Sequence, residues 1–172
     1  MTEVKKGQKT MAQDPRTSYN KIQRNYGGFM KIVLAADHGG YLLKEEIKTA
    51  LTEQGYEIID LGTYSEESVD YPYYGKLAGD YVTSGKAERG IVFCGTGIGI
   101  SIAANKVHGV RCAVAVDDER VRLASAHNHA NMLALGGRFT DTAAALRYID
   151  IWLNTPWEGG RHDKRVAMLD EM

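Results

Sequence analysis

Short apolar runs alternate with longer amphipathic segments over most of this sequence. The runs are rich in Val, Ile, Leu and Ala, as in strands that a parallel sheet buries on both faces. They predict strands at 31–36, 56–61, 91–93, 110–116 and 131–135. Between them, apolar residues recur at helical spacing, as Leu43, Ile47 and Leu51 do before Gly55. The pattern predicts an α/β fold: a Rossmann-like three-layer sandwich with a five-stranded parallel sheet and helices on both faces.

The first 29 residues differ from the rest in charge. Residues 1–30 carry six basic and two acidic side chains, whereas residues 31–172 carry 15 basic and 20 acidic ones. A basic polar segment with only scattered apolar residues cannot bury enough surface to fold alone. We therefore predict a flexible extension at 1–29 and one domain at 30–172.

Charge and composition argue against several classes of partner. The acidic domain lacks a basic stripe with interleaved aromatic residues, so no nucleic-acid partner is predicted. No apolar run approaches the roughly 18 residues that a membrane span needs, so no membrane partner is predicted either. Cys94 and Cys112 are the only cysteines. Both fall at or inside predicted strands, which favours reduced thiols and a cytoplasmic location.

The most informative stretch is the turn after the third strand, where Cys94 is followed by Gly95-Thr96-Gly97-Ile98-Gly99. Without side chains at alternate positions, the main chain can approach a ligand closely, and the amides that open the next helix attract anions. Cys94 lies at the mouth of this turn, beside the positive end of a helix dipole. It should ionise more readily than a free cysteine and serve as a base or nucleophile.

Two other interpretations of this turn stay open. A phosphate-binding turn with a structural cysteine would carry the same residues. A dinucleotide fingerprint needs a glycine where Ile100 stands, and the Gly-Lys-Ser of a nucleotide P-loop is absent. However, the strand at 110–116 is followed by Asp117, about where the ribose-binding acid of a Rossmann unit lies. An NAD-dependent oxidoreductase therefore remains an alternative.

Further polar side chains follow the predicted strands. Ligands of open α/β sheets bind at the carboxyl ends of the strands, where Asp37 and His38 follow the first strand and Arg138 follows the fifth. Asp37 could instead cap the next helix. Arg161 and Arg165 lie four residues apart on one face of the last helix. We expect these three arginines and the glycine turn to gather at one edge of the sheet as a phosphate clamp.

Aromatic side chains add to that edge. Tyr71 precedes Pro72 at a predicted helix start, near enough to the ligand edge of the sheet to reach a substrate hydroxyl.

The pair His127 and His129 lacks a third ligand at a recognisable spacing, so no metal is predicted. An imidazole near this edge is better suited to act as an acid or base, because its charge changes between about pH 5 and 8.

Six separated motifs occur in order along residues 30–172: Asp37-His38-Gly39, Asp70-Tyr71-Pro72, Cys94 to Ser101, His127-Asn128, Gly137-Arg138, and Gly160-Arg161-His162 with Arg165. Together they resemble the type B ribose-5-phosphate isomerases, of which galactose-6-phosphate isomerase subunits are close relatives. The resemblance implies a Rossmann-like fold and the interconversion of D-ribose 5-phosphate and D-ribulose 5-phosphate through an enediolate, without cofactor or metal. It also implies a site between subunits, and hence a homodimer or a dimer of dimers.

The resemblance further implies a role for each matching residue. Cys94 would be the base that moves a proton between carbons 1 and 2, with help from the Thr96 hydroxyl, and His127 would open the sugar ring. The enediolate oxygen would be held by the amides of Gly95, Gly97, Ile98 and Gly99. Sugar oxygens would be held by Asp37 and Asn128. The phosphate and nearby hydroxyls would be shared by His38, Arg138, Arg161 and Arg165.

The sequence leaves two related functions open. No residue obviously decides the length of the sugar, so an isomerase of a six-carbon sugar phosphate, allose or galactose 6-phosphate, is an alternative. A sensor that keeps the phosphate clamp and has lost the chemistry is another. The joint presence of Cys94, His127 and Asn128 argues against such a sensor.

Overall fold

The computed structural model describes residues 29–172. The predicted extension at 1–29 lies outside this part, apart from Phe29, and the domain boundary at residue 30 stays a prediction. Along the described part, strands and helices alternate as β1 Lys31–Ala36, α1 Tyr41–Glu53, β2 Glu57–Asp60, α2 Tyr71–Thr83, β3 Arg89–Cys94, α3 Ile98–Ala104, β4 Cys112–Val114, α4 Asp118–Ala126, β5 Met132–Gly136, α5 Thr142–Asn154 and α6 Arg161–Asp170. All strand pairs are parallel, in the order β2-β1-β3-β5-β4. The predicted five-stranded parallel sheet is confirmed.

Helices cover both faces of this sheet. Alternate strand residues point to opposite sides: Ile32 and Leu34 pack with α1, α4 and α5, whereas Val33 and Ala35 pack with α2 and α3. This arrangement follows from right-handed crossovers. The connections β1–β2 and β4–β5 run in one direction across the sheet, so α1 and α4 lie on one face. The connections β2–β3 and β3–β4 run in the opposite direction, so α2 and α3 lie on the other face. The three-layer prediction is thus confirmed.

The two outer strands are shorter than the apolar pattern predicts. β4 contains only Cys112–Val114 of the predicted 110–116, and β2 contains Glu57–Asp60 of the predicted 56–61. Each outer strand pairs with one neighbour only, β5 and β1 respectively. The hydropathy of a segment indicates its burial, whereas the length of a strand depends on how many of its residues have a hydrogen-bonded partner. The apolar pattern therefore overestimates the length of strands at a sheet edge.

The central strands β1, β3 and β5 position the chemistry. Chain connections leave β1 and β3 towards opposite sides, which opens a crevice at their carboxyl ends. Main-chain hydrogen bonds continue past the strand ends there: Asp37 N–H donates to the Phe93 carbonyl at 3.0 Å and Gly137 N–H to the Cys94 carbonyl at 2.8 Å. The loops after these three strands are therefore fixed side by side.

No helix within the described part has the length and apolar character needed to cross a membrane.

Candidate active site

Cys94 is the last residue of β3 and lies at the bottom of the predicted glycine turn. Its side chain is 4% exposed, and its Sγ accepts a hydrogen bond from the Gly97 amide at 3.1 Å. Gly97 has a φ of 78°, a left-handed conformation that glycine adopts without strain. The next amide, of Ile98, donates to Thr96 Oγ1 at 3.2 Å. The turn thus places the Gly97 amide on the sulfur, so that a main-chain donor contacts Cys94.

Asp37 and His38 extend this site from the end of β1. Asp37 is 6% exposed, and its Oδ1 accepts the Gly40 amide at 3.1 Å. The N-cap residue of α1 is Gly40 rather than Asp37, so the carboxylate orders the turn before the helix instead of capping it. His38 Nδ1 accepts the Val69 amide at 3.2 Å. That contact requires a lone pair on Nδ1, so the neutral ring carries its proton on Nε2.

Tyr71 and Arg138 lie directly against the glycines of the turn. A Cβ placed on Gly99 would be 2.7 Å from Cζ of Tyr71, and a Cβ on Gly95 would be 3.2 Å from the guanidinium carbon of Arg138. Larger residues at either glycine would displace the side chain above it. We call Asp37, His38, Tyr71, the turn 94–99 and Arg138 the carboxyl-edge cluster.

His127 and the last two arginines lie at the opposite edge of the sheet. His127 directly follows α4, which returns the chain to the amino end of β5, and Arg161 begins α6, which follows the return along α5. The expectation that these residues share one edge with Cys94 is wrong, because a helix after a parallel strand must carry the chain back. With about 3.3 Å per residue along β5, the two edges are about 15 Å apart.

Side-chain contacts connect the groups at this second edge. The rings of His127 and His162 stack, with centroids 4.2 Å apart and 12° between planes. His127 Nε2 lies 3.2 Å from Glu158 Oε2, and Arg161 Nε donates to His162 Nε2 at 3.3 Å. We call His127, Asn128, Glu158, Arg161, His162 and Arg165 the amino-edge cluster.

Sequence reasoning did not predict Glu158 and His162 as site residues. His162 is 5% exposed. Burial is the largest cause of its lowered pKa, followed by the positive charges of His127, Arg161 and Arg165, while Glu158 acts in the opposite direction. The available signal was the glycine pair at 159–160, which has positive φ angles and lies between two residues that contact the end of α4: the Glu158 amide donates to the Ala126 carbonyl, and His162 stacks on His127.

Three groups of the amino-edge cluster lie close enough to share a metal ion. The ligand atoms of His127, Glu158 and His162 are within 4.8 Å of one another. However, imidazole lone pairs lie in the ring plane, and two nearly parallel stacked rings do not aim theirs at one point. His162 Nε2 also accepts the hydrogen bond from Arg161. His129 stands outside this group and stacks on Trp157. The orientation of the rings thus does not fit a metal centre, and the predicted lack of a metal stays a prediction.

The arginines of the two clusters differ from most of the other arginines; Arg89 also lacks a carboxylate partner in the described part, but it donates to the main-chain carbonyl of Glu88. Ion pairs with carboxylates engage Arg111, Arg120, Arg122 and Arg147. Within residues 29–172, no carboxylate pairs with Arg138, Arg161 or Arg165. Guanidinium groups without a carboxylate partner are suited to bind an anionic ligand, and the planar fork matches phosphate oxygens. Both edges of the sheet therefore carry phosphate-binding capacity.

A sheet with a cysteine in a bare glycine turn, an imidazole pair and unpaired guanidinium groups has the elements of an enzyme for small phosphorylated substrates. A model of the Ribose/Galactose Isomerase family matches residues 32–169. The chain is 45% identical over 139 residues to ribose-5-phosphate isomerase B of Escherichia coli strain K12, covering 81% of this chain and 93% of that protein. This protein therefore belongs to the Ribose/Galactose Isomerase family.

Other relatives agree with this assignment. Ribose-5-phosphate isomerase B of Mycobacterium leprae is 42% identical, over 83% of this chain and 89% of that protein. The structure of the Clostridium thermocellum ribose-5-phosphate isomerase B superposes with a TM-score of 0.81 at 51% identity, covering 83% and 96% of the two chains. The structure of the Mycoplasma genitalium ribose-5-phosphate isomerase B, solved with bound ribulose-5-phosphate, superposes with a TM-score of 0.79 at 36% identity. The match covers 84% of this chain and 96% of that chain.

Proposed function

We propose that this protein is an aldose–ketose isomerase that interconverts D-ribose 5-phosphate and D-ribulose 5-phosphate. The observation that carries the proposal is the turn at the end of β3. It holds the Cys94 sulfur and main-chain donors within one short segment, and the Arg138 guanidinium, from the loop after β5, packs against it at Gly95. Relatives that share this domain are named for the same reaction, and one of them binds ribulose-5-phosphate.

In the proposed reaction, Cys94 acts as the base. Its thiolate takes the proton from carbon 2 of the open-chain aldose, the electron pair forms the enediol double bond, and oxygen 1 takes up the negative charge. A proton then passes from oxygen 2 to oxygen 1, and the thiol returns its proton to carbon 1. Every proton and electron pair stays within the substrate and this one thiol, so the chemistry requires no cofactor or metal.

The turn around Cys94 would stabilise the intermediate. The amides of Gly95 and Gly99 can donate to the enediolate oxygen, and one well-placed donor of this type contributes roughly 3 to 4 kcal/mol in the transition state. Thr96 Oγ1 already accepts the Ile98 amide, which leaves its own proton to donate to a substrate oxygen. His38 Nε2–H, Asp37 and the Tyr71 hydroxyl are the polar groups that would hold the sugar beside the sulfur.

The proposal includes a homodimer, or a dimer of dimers, with sites between subunits. Because the two clusters are about 15 Å apart, His127 cannot reach a sugar held at Cys94 of its own chain. In a twofold dimer, the amino-edge cluster of one copy can face the carboxyl-edge cluster of the other, and both sites are then completed at once. His127 of one copy would open the sugar ring, Asn128 would hold a sugar oxygen, and Arg161 and Arg165 would share the phosphate with Arg138 and His38.

Exposed apolar side chains near the carboxyl-edge cluster support this arrangement. Ile98 and Ile102 share one face of α3 and are each 56% exposed, and Phe139, directly after Arg138, is 79% exposed. A contact between two copies would remove such side chains from water at about 25 cal/mol per Å² of apolar surface. The apolar positions therefore lie where the proposed interface needs them.

The proposal also places the enzyme in the cytoplasm. Cys94 and Cys112 are both free thiols, and they are the cysteines of the whole sequence. The proposed base works only as a thiol or thiolate, and a reducing compartment keeps it in that form.

A six-carbon substrate is the second candidate, because the matching family is described as Ribose/Galactose Isomerase. Turnover of the 5-phosphate of ribose and the 6-phosphates of allose and galactose, measured side by side on purified protein, separates the two. We expect the highest kcat/KM on ribose 5-phosphate. A clear preference for a hexose phosphate would select the second candidate.

The same assay, repeated after thiol alkylation, tests the reaction itself. Alkylation should abolish turnover, and saturating substrate should slow the loss. Phosphate binding without turnover of any of the three sugars would contradict the proposal and favour a sensor. Tight NAD binding by calorimetry, again without isomerisation, would favour an oxidoreductase.

A further inference from the structure

Four side chains of the amino-edge cluster contact one another in series. Glu158 lies beside the edge of the His127 ring, His127 stacks on His162, and His162 accepts the hydrogen bond from Arg161. His162 is the central member and the most buried of the four. It contacts both His127, the candidate acid–base group, and Arg161, a candidate phosphate-binding group, although it has neither role itself.

The charge state of His162 suits both contacts. A doubly protonated ring has no lone pair and could not accept from Arg161 Nε. Burial, followed by the nearby positive charges, lowers the pKa of His162 and keeps the ring neutral at pH 7. The neutral ring then carries its proton on Nδ1, which leaves Nε2 free to accept. Its flat face is available to the His127 ring at the same time.

The backbone under His162 is firmly anchored. His162 and Val166 lie one turn apart on the buried face of α6, at 5% and 8% exposure. The far end of α6 is tied to the start of β4 by the Arg111–Asp170 ion pair at 2.5 Å. Arg161 and Arg165 lie one turn apart on a neighbouring, exposed face of α6. A fixed imidazole can therefore orient its two more exposed neighbours, His127 and Arg161.

We propose that His162 is a positioning residue that orients His127 through its ring face and Arg161 through Nε2. One buried side chain would thereby couple the geometry of ring opening to the geometry of phosphate binding. This inference rests on the proposed function, in which His127 opens the sugar ring and Arg161 binds the phosphate. Glu158 completes the arrangement by placing a carboxylate 3.2 Å from the outer nitrogen of His127.

Two substitutions at one position separate the two contacts. His162→Phe keeps a flat ring for stacking and removes the acceptor for Arg161. We expect KM and the inhibition constant of inorganic phosphate to rise roughly tenfold, the loss expected for one charged hydrogen bond, with kcat within about twofold. His162→Gln keeps an acceptor and removes the ring. We expect kcat on the cyclic sugar to fall roughly tenfold, with phosphate inhibition within about twofold.

A merely structural role would not produce this crossed pattern. Equal changes of kcat and of phosphate inhibition in both variants, or no change in either, would overturn the proposal. Melting temperatures show whether the variants are folded. Should either variant fail to fold, nitrogen-15 NMR of the wild-type protein decides instead. A neutral His162 with its proton on Nδ1 supports the proposal, and a charged ring or a proton on Nε2 contradicts it.

Failure of the proposed function gives a different result from failure of this inference. Wild-type protein that turns over no sugar phosphate would defeat the isomerase. Phosphate binding, measured by calorimetry on the same two variants, would still show whether His162 orients Arg161.

Discussion

The two clusters at opposite edges of the sheet are held in place by different means. At the carboxyl edge, loops are fixed by main-chain hydrogen bonds between strand ends, such as Asp37 N–H to Phe93 and Arg138 N–H to Gly95. At the amino edge, the ring stack, the Glu158 contact and the Arg161 hydrogen bond are all between side chains. Cys94, the proposed base, thus lies at the end of a central strand, whereas His127 and Arg161, the proposed ring-opening and phosphate-binding groups, lie at helix ends.

The clusters also differ in how complete they are within one chain. Cys94 and Asp37 are buried and hydrogen-bonded, at 4% and 6% exposure. Arg161 and Arg165 are exposed and have no carboxylate partner in the described part of the chain. Arg138 of the carboxyl-edge cluster is likewise exposed and lacks a carboxylate partner there, so the arginines of both clusters are available to the phosphate that our proposal places between two copies.

Loss of the sulfur should give the largest effect. Cys94→Ala removes the proposed base, and we expect kcat to fall by about 10³-fold or more, within the range that general-base catalysis contributes. Inorganic phosphate should still bind and the melting temperature should hold, because the arginines and the sheet are intact. Steady-state kinetics and calorimetry measure both.

Cys112→Ala is the matched control for this substitution. Burial raises the pKa of Cys112 to about 12, so this thiol stays protonated and takes no part in the reaction. Activity within about twofold of wild type is expected. Near-normal turnover of Cys94→Ala would contradict the assigned base.

The carboxyl-edge cluster depends on a buried ion pair, and breaking it should give the largest loss of stability. Lys44 has no exposed side-chain surface and donates to both oxygens of Asp60 at 2.7 and 2.8 Å. Asp60 also accepts the Gly62 amide at 2.9 Å, which fixes the loop that leads to the Val69–His38 hydrogen bond. Asp60→Asn removes the carboxylate that Lys44 and Lys48 share and leaves Glu45, at 2.6 Å, as the carboxylate partner of the buried Lys44. We expect the free energy of unfolding to fall by about 3 kcal/mol, the lower end of the range for a broken buried ion pair.

The same pair should make stability depend on pH. Burial alone would raise the pKa of Asp60, but hydrogen bonds from Lys44, Lys48 and the Gly62 amide lower it below 3.8. A depressed pKa in the folded state contributes stability above the unfolded value, and that stability is lost as the pH falls through the folded value. Denaturant unfolding below pH 4 should therefore weaken wild type more steeply than Asp60→Asn.

Lys48→Gln provides the comparison, since Lys48 is 30% exposed and its pairing with Asp60 should contribute no more than about 1 kcal/mol. Equal losses for Asp60→Asn and Lys48→Gln would show that the buried pair does not stabilise this loop.

The amino-edge cluster should give a smaller effect, confined to binding. Arg165→Ala removes one charged contact to the phosphate, and kcat/KM should fall roughly 10- to 100-fold, mainly through KM. Arg120→Ala, which breaks an exposed ion pair with Asp117, should change kcat/KM by less than about twofold. A fall in kcat alone, with phosphate inhibition unchanged, would place Arg165 outside the phosphate site.

Local patterns were sufficient to predict the carboxyl-edge cluster. The strand that ends at Cys94 and the alternating glycines lie within one short stretch, and a bare turn after a buried strand has few other uses. Asp37 and Arg138 could be placed beside it because parallel strands end at the same edge. The same rule applied to helices would have placed His127 correctly, since a residue directly after α4 must lie at the amino edge.

Long-range pairs were invisible to the same reasoning. The contacts of Glu158 and His162 with His127 join two segments that no periodicity relates. Lys44 occupies a helix position that its charge marks as exposed, and its ion pair with Asp60, on the neighbouring strand, together with that to Glu45, allows it to be buried. Predicting such pairs requires knowing how the helices and strands are placed relative to one another, and a single sequence does not provide that information.

Subunit complementation tests the division of the site between two chains most directly. Cys94→Ala loses the proposed base at the carboxyl edge, and His127→Asn loses the amino-edge imidazole, so each proposed homodimer should be nearly inactive. A mixed dimer has both substitutions in one site and neither in the other. Random mixing of equal amounts should therefore restore up to about a quarter of wild-type activity. A co-expressed mixture no more active than its parents, with mixed dimers verified by two affinity tags, would contradict a site shared between subunits.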